Sequence, residues 1–261
     1  MNADEPQFIE IGKAAGKASA TRRIAVRHRE GQGPGLFWLS GFKSDMSGTK
    51  AMELDNWAGR QGLACTRFDY SGHGISDGDF EDACVSDWLE EALAVFDRFC
   101  AGPTIVVGSS MGGWIALLLA LARRDAGLLK GMVLIAPATD FTEELMWKQR
   151  FTDEIREAIQ TKGRWQQPSA YSEDPYVITR KLIEDGRRHL ILEKRIATGC
   201  PVTILQGVQD PDVPWRHAER LAEALPEDDV TLTLVPDGDH RLSRPQDIAL
   251  LVKSVEAMRR D

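Results

Sequence analysis

The stretch Thr104-Ile105-Val106-Val107-Gly108-Ser109-Ser110-Met111-Gly112-Gly113-Trp114-Ile115-Ala116-Leu117-Leu118-Leu119-Ala120 decides how this chain folds. Its first four residues are β-branched, the composition of a buried strand. Its last seven are apolar and strong helix formers apart from Trp114 and Ile115. Between them lies Gly108-Ser109-Ser110-Met111-Gly112, a Gly-x-Ser-x-Gly at a strand-to-helix turn. That arrangement is an elbow, a sharp turn that holds its central serine up in solvent. The glycines answer a steric demand, because strand and helix backbones pass so close that a Cβ at Gly108 or Gly112 would collide. The five-residue pattern alone recurs by chance, and a plain glycine/serine turn is the alternative. The strand before it and the helix after it make Ser110 the candidate nucleophile.

Outward from the elbow, apolar runs alternate with helix-period segments, the signature of a parallel sheet wound by helices. Strands are predicted at Leu36–Leu39, Ala64–Phe68, Thr104–Val107, Met132–Ile135, Val202–Leu205 and Val230–Val235. Helical spacing appears at Ala51, Leu54 and Ala58, at Trp88, Ala92, Val95 and Phe99, and at Ala218, Leu221 and Leu225, where Pro214 is placed to open the helix. The closing helix carries Ile248, Leu251, Val255 and Met258 on one face. Near the start, Phe8-Ile9-Glu10-Ile11 and Arg23-Ile24-Ala25-Val26-Arg27 read as a hairpin. The segment from Ile11 to Arg29 is basic and free of acids, as organelle transit peptides are, but acidic residues precede it. The expectation is one α/β domain over residues 1–261 with a mostly parallel, eight-stranded sheet flanked by helices.

From Phe141 to Cys200 the alternation breaks. These residues separate two core strands that a helix and loops of about 2–6 residues would connect. The pairs Leu145/Met146, Ile155/Ile159 and Leu182/Ile183 give the stretch an amphipathic, helical look. It is read as a helical lid, residues 141–200, inserted before the last two strands. Its aromatics Trp147, Trp165, Tyr171 and Tyr176 are candidates for an apolar substrate wall; the plainer alternative is that they pack the lid onto the body.

The chain has 261 residues, 43% hydrophobic and 28% charged, with a formal net charge of −8. That balance suits an ordinary globular protein and argues against nucleic acid or an anionic membrane as partner. The longest apolar run, Trp114–Ala122, is too short to span a bilayer and reads as a buried helix. Cys65, Cys84, Cys100 and Cys200 have no metal-site spacing, so reduced thiols in a cytoplasmic protein are expected. The acidic cluster Asp77, Asp79, Glu81 and Asp82 lacks the calcium-loop spacing, with Trp88 where that loop needs a Glu. No nicotinamide, flavin or zinc signature is present, so no cofactor and no metal are expected.

A serine hydroxyl barely ionises at neutral pH and needs a base, which needs an orienting acid. In one chain order built around such an elbow, the acid and then the histidine follow the serine. His240, in the turn Asp237-Gly238-Asp239-His240 after the last strand, sits where ligands bind at the carboxyl ends of an open sheet. His189 lies in the insertion, His217 at a helix start where an exposed role is expected, and His28 and His73 precede the serine and fit structural roles. The acid is expected at Asp210, directly off the preceding strand. Asp212, read as a helix cap, and Asp140, ending an earlier strand, are the other candidates. Two backbone N–H groups should hold the oxyanion of an acyl-transfer intermediate. Met111, after the nucleophile, offers one, and Phe42 within Ser40-Gly41-Phe42-Lys43 offers the other. The glycine-rich Asp69-Tyr70-Ser71-Gly72-His73-Gly74-Ile75-Ser76 reads as a tight turn whose Asp69 and Ser76 bond backbone groups.

These residues resemble the α/β-hydrolase superfamily over nearly the whole chain: Ser40-Gly41-Phe42, Asp69 to Ser76, Gly108 to Trp114, Gly207 to Pro214 and Asp239-His240. The string Lys162 to Glu173 and the run Val213-Pro214-Trp215 resemble its palmitoyl-protein thioesterase and acyl-glucuronide esterase branch. The resemblance implies a lidded serine hydrolase of acyl thioesters or activated esters, acting on a small molecule or an acylated protein. It makes Ser110 the nucleophile, Asp210 the acid and His240 the base. Ser40 departs from the histidine common at that place. Cleavage of a carbon–carbon or peptide bond by the same residues, or a non-catalytic ligand receptor on the same fold, are the competing readings.

Overall fold

The computed structural model describes residues 5–12, 21–167 and 176–260. Its main sheet has eight strands. In chain order they are β1 (Gln7–Ile11), β2 (Arg22–Arg29), β3 (Gln32–Leu39), β4 (Leu63–Phe68), β5 (Thr104–Ser109) and β6 (Leu129–Ile135), joined after the insertion by β9 (Val202–Gly207) and β10 (Val230–Val235). They lie in the order β1-β2-β4-β3-β5-β6-β9-β10. The pairs β1/β2 and β2/β4 are antiparallel and every other pair is parallel. The predicted hairpin is present, with Ile9 opposite Ile24.

Strand β5 shows why the sequence folds this way. All six of its residues are buried, and alternate side chains serve opposite faces. Val106 joins the core under α2 (Val85–Phe99) and α3 (Met111–Arg123), with Trp88 and Trp114. Ile105 and Val107 join the core under α1 (Thr49–Arg60) and α7 (Pro245–Arg260), with Leu54, Trp57 and Val255. Residues 111–120 of α3 are all buried, so its apolar run is a core helix. Among the described residues, no helix is long and apolar enough to cross a membrane. The four cysteines are buried and unpaired.

Between β6 and β9 the chain forms a π-helical segment (Thr142–Arg150), α4 (Asp153–Lys162), an antiparallel hairpin of β7 (Arg164–Gln167) and β8 (Tyr176–Thr179), and α5 (Arg180–Gly186). The helical expectation therefore holds only in part. Thr152 caps α4 by accepting from the Ile155 N–H, and Gly163, with φ 79°, ends it in the left-handed conformation. Beyond Gly163 the composition turns to strand formers: Val177-Ile178-Thr179 faces Trp165 across the hairpin, with Trp165 opposite Ile178. Between β9 and β10 lies α6 (Trp215–Ala224), opened behind Pro214 as its position predicts.

Candidate active site

The elbow is built as its glycines require. A Cβ on Gly108 would come within 2.4 Å of the Gly112 carbonyl oxygen, and one on Gly112 within 2.1 Å of the Leu39 carbonyl oxygen. Ser110 has φ 55° and ψ −118°, a strained backbone for a residue with a side chain. The strain is held by its surroundings. Ser110 donates its N–H to Ile135 (2.8 Å), and its carbonyl accepts from Gly113 (2.9 Å) and Ala138 (3.0 Å).

The turns after β9 and β10 close on each other because Gly207 carries no side chain; a Cβ there would lie 2.4 Å from the Gly238 carbonyl oxygen. This brings Asp210 and His240 together beside Ser110. His240 Nδ1 lies 2.8 Å from Asp210 Oδ2 and its Nε2 lies 3.0 Å from Ser110 Oγ. Nδ1–H donating to the carboxylate leaves Nε2 as the acceptor for the serine hydroxyl. Asp210 is buried, its Oδ1 accepts from the N–H groups of Asp212 and Val213, and its Oδ2 also accepts from Gln206 Nε2. Its two oxygens thus meet four donors that fix its orientation. Asp210, Asp212 and His240 lie close enough to share a cation, but the bond between Asp210 and His240 Nδ1 turns the imidazole so that Nε2 faces Ser110.

The other two candidate acids make different bonds. Asp140 accepts from the N–H groups of Ile191 and Leu192, tying the end of β6 to the return of the insertion; burial pushes its carboxyl up to about 6. Asp212 does not cap α6, which opens at Trp215 behind Pro214 with no side-chain cap. Its carboxylate lies 3.5 Å from Arg150 and its carbonyl accepts from the same guanidinium. His217 is buried, contrary to the exposed role expected. Its Nε2 donates to the Thr139 carbonyl (2.8 Å), a partner supplied by the exit of β6 that spacing along α6 could not reveal.

Gly41 packs directly on the elbow: a Cβ there would sit 3.3 Å from Ser110 Cβ and 4.0 Å from its Oγ. Phe42 comes next in the chain, and Met111 opens α3, where an α-helix leaves its first N–H groups without intrahelical acceptors. Phe42 is thus one residue from the contact with Ser110, and Met111 directly follows Ser110 in the chain. Ser40 accepts from Trp38 Nε1 (3.0 Å). The Asp69–Ser76 turn behaves as expected, with Asp69 accepting from Met46 and Ile75 and Ser76 bonding Asp69 and Ala25. Sequence reasoning missed that the same turn presents His73 to the loop after β3, where its Nε2 accepts the Lys43 N–H. The Gly-His-Gly in the sequence was the available signal.

A cavity of about 590 Å³ opens over Ser110 and His240. Phe42, Phe141, Leu145, Met146 and Val213 form its apolar wall, and Asp45, Lys50, Arg150 and Arg241 belong to its polar one. Lys50 donates to the Arg241 carbonyl and Ser243 Oγ, and burial pushes its ammonium down to about 8. Trp147 and Trp165 are not in this lining. Trp165 stacks edge-on to Phe151 (5.5 Å between centroids), and Trp147 lies against Phe151 with the Arg187 guanidinium 4.7 Å from its ring. Their aromatic faces serve the insertion's own packing, and π-helical Leu145 and Met146 take the place expected of them. Tyr171 lies outside the described residues, and the Tyr176 side chain is not described.

A mostly parallel sheet with an elbow serine at its centre and a histidine and acid at the carboxyl ends of its strands defines an α/β hydrolase. The family model described as serine aminopeptidase, S33, matches residues 41–247, and the chain belongs to that α/β-hydrolase family of enzymes. It is 35% identical over 234 residues to the human mitochondrial palmitoyl-protein thioesterase ABHD10, covering 89% of this chain and 75% of that protein. Its fold matches a protein of Agrobacterium vitis S4 described as a hydrolase, with TM-score 0.92, 48% identity and 98% of both chains covered. It also matches mouse alpha/beta hydrolase domain-containing protein 10, with TM-score 0.84 and 31% identity over 97% of this chain and 98% of that one.

Proposed function

We propose that this hydrolase cleaves acyl thioesters and carboxylic esters through an acyl-enzyme on Ser110. The observation that carries the reading is the hydrogen-bonded series Ser110–His240–Asp210 at the floor of a cavity with one apolar wall. His240 Nε2 takes the Ser110 proton as Oγ attacks the acyl carbonyl, and the N–H groups of Phe42 and Met111 receive the oxyanion. The intermediate collapses, the carbonyl–sulfur or carbonyl–oxygen bond breaks, and His240 returns the proton to the leaving group. Water then repeats the sequence on the acyl-enzyme, releasing the carboxylic acid and restoring Ser110. Asp210 holds the imidazole in the tautomer this requires and stabilises its charged form.

Thioesters are favoured because a thiolate leaves with little help from an acid: thiols ionise near pH 8.5, far below alcohols. Relatives bearing the name palmitoyl-protein thioesterase support this substrate class. The apolar wall, in a volume within the usual range of about 300–1,000 Å³ for ligand pockets, suits a medium or long acyl chain.

Kinetics on acyl thioesters and matched esters of graded length, alongside fluorophosphonate labelling, test the reading. Labelling at Ser110 and kcat/KM rising with chain length are expected. Equal kcat/KM for acetyl and decanoyl thioesters would retire the acyl wall in favour of a small-ester hydrolase. Absence of labelling would retire the nucleophile.

A further inference from the structure

We infer that His73 is a positioning residue that holds the oxyanion loop in place through the backbone N–H of Lys43. This rests on the proposed role of Phe42 as an oxyanion donor. Lys43 directly follows Phe42 and has φ 53°, a left-handed conformation that a residue with a side chain adopts at a cost. His73 meets it from the turn after β4. Its Nε2 accepts the Lys43 N–H at 3.1 Å, and its Nδ1–H donates to the Ser71 carbonyl at 3.1 Å. An N–H donor on one side and a carbonyl on the other leave only that neutral tautomer compatible with both bonds.

The ring has little freedom to do anything else. His73 is 4% exposed and lies against Tyr70, Phe80 and Trp88, with centroids 5.8, 5.2 and 5.4 Å away. Burial, helped by the charge of Lys43 and opposed by Ser71 and Asp45, pushes its imidazolium down to about 4, so it remains an acceptor across the neutral range. Phe80 and Trp88 also contact the Phe42 ring, at 4.8 and 6.0 Å. One aromatic box therefore grips the side chain of the donor residue and the imidazole that holds the next peptide. The anchor extends inward: Ser71 donates its N–H to buried Glu91, and its carbonyl accepts from Trp88 Nε1.

A histidine that only packed this turn would alter folding yield but not the chemistry of each folded molecule. The test compares wild type with His73→Phe, His73→Asn and His73→Gln, counting active sites by fluorophosphonate titration. For each, kcat, KM and the inhibition constant of an acyl trifluoromethyl ketone, whose adduct oxygen occupies the oxyanion position, are measured. Loss of a whole oxyanion donor costs about 10²–10³ in rate, so a donor merely loosened should cost about 10- to 100-fold. His73→Phe keeps the aromatic packing and should lose that much in kcat per titrated site, with KM within about twofold and ketone binding weakened in parallel. His73→Asn, too short to reach Lys43, should behave alike. His73→Gln can place its amide oxygen near the Nε2 position and should recover most of the rate. If Phe fails to fold, the Asn and Gln contrast decides. The inference is overturned if Asn and Gln are equivalent, if kcat per site is unchanged in Phe and Asn, or if KM rises while ketone binding holds. If the wild type neither labels nor turns over, the Ser110 reading fails and this inference falls with it.

Discussion

The floor and the apolar wall of the cavity are built by different means. On the floor, β5, Ser110 and α3 form a continuous stretch, buried on either side of the serine, in which glycines allow contacts no other residue could make. Shifting the serine would require moving the sheet. Part of the wall, Leu145 and Met146, comes from the π-helical segment Thr142–Arg150, which Glu144 ties to Arg220 on α6 of the body and Glu143 ties to Arg187 within the insertion. Partly exposed pairs of that kind are each worth about 0–1 kcal/mol. The contrast separates two tasks. On the proposed function, chemistry would sit on the part that cannot move, and selection of the acyl chain would fall to a part that can change its side chains without disturbing the Ser110–His240–Asp210 geometry.

The largest effect should come from the floor. Ser110→Ala is expected to keep the fold and lower hydrolysis by about four to six orders of magnitude, as loss of the serine does in triad enzymes. Steady-state assays with a thermal melt check it; a tenth of the activity surviving in a clean preparation would move the nucleophile elsewhere. Next, Asp210→Asn should cost about 10⁴ in kcat by disturbing the histidine tautomer, whereas Asp212→Asn and Asp140→Asn should be mild. A reversed order would give the acid's role to the sensitive residue.

Asp140 ties the end of β6 to the return of the insertion, and its variant should show itself in stability. Its folded carboxyl is pushed up to about 6, against an ordinary 3.8. Between those values the folded chain holds a proton that the unfolded chain has released, so this group's contribution to stability declines as pH rises from about 4 to about 6. Asp140→Asn does not titrate. The stability of wild type relative to the variant should therefore fall across that window, by of order 1–3 kcal/mol. Urea titrations at pH 4, 5 and 6 measure it. A difference that grows with pH would show that the Ile191 and Leu192 N–H groups favour the ionised form more than burial opposes it.

The same contrast explains how much the sequence discloses. The strands are legible because burial on both faces leaves short runs such as Thr104–Val107, and the elbow because its glycines have one steric explanation. Asp210 and His240 are legible from their places at strand ends. The insertion is less so. Amphipathic spacing says that one side of a segment is buried but not against what, so Trp147 and Trp165 read as cavity wall when Phe151 is their partner. The β7/β8 hairpin hides behind the helical pattern around it. His217 and His73 are hard to read for a related reason: their partners, the Thr139 carbonyl and the Lys43 N–H, are backbone groups 78 and 30 residues away.

The wall itself can be probed by shaving it. Leu145 and Met146 are buried on the π-helical segment and line the cavity. Each methylene removed from water is worth about 0.8 kcal/mol, so losing part of the surface that covers a long chain should narrow the decanoyl-over-acetyl ratio in kcat/KM by about tenfold in Leu145→Ala/Met146→Ala. Acetyl turnover should change little. A uniform fall across all chain lengths would mean that the segment supports the floor and does not select the chain.

The smallest effect on catalysis is expected at Trp165. It is half-buried on β7, opposite Ile178, with its ring edge-on to Phe151. Aromatic pairs of this geometry contribute about 0.5–1.5 kcal/mol beyond the area they bury. Trp165→Ala should therefore lower the melting temperature by a few degrees, while the decanoyl-over-acetyl ratio stays within about twofold of wild type. The paired measurement matters because loosening the hairpin could by itself reduce activity at high temperature. Assayed well below the melt, a structural tryptophan leaves the ratio intact and a substrate-contacting one does not. If Trp165→Ala erodes the long-chain preference as strongly as Leu145→Ala/Met146→Ala, the hairpin reaches the acyl path, and the selecting surface extends beyond the π-helical segment to the far side of Phe151.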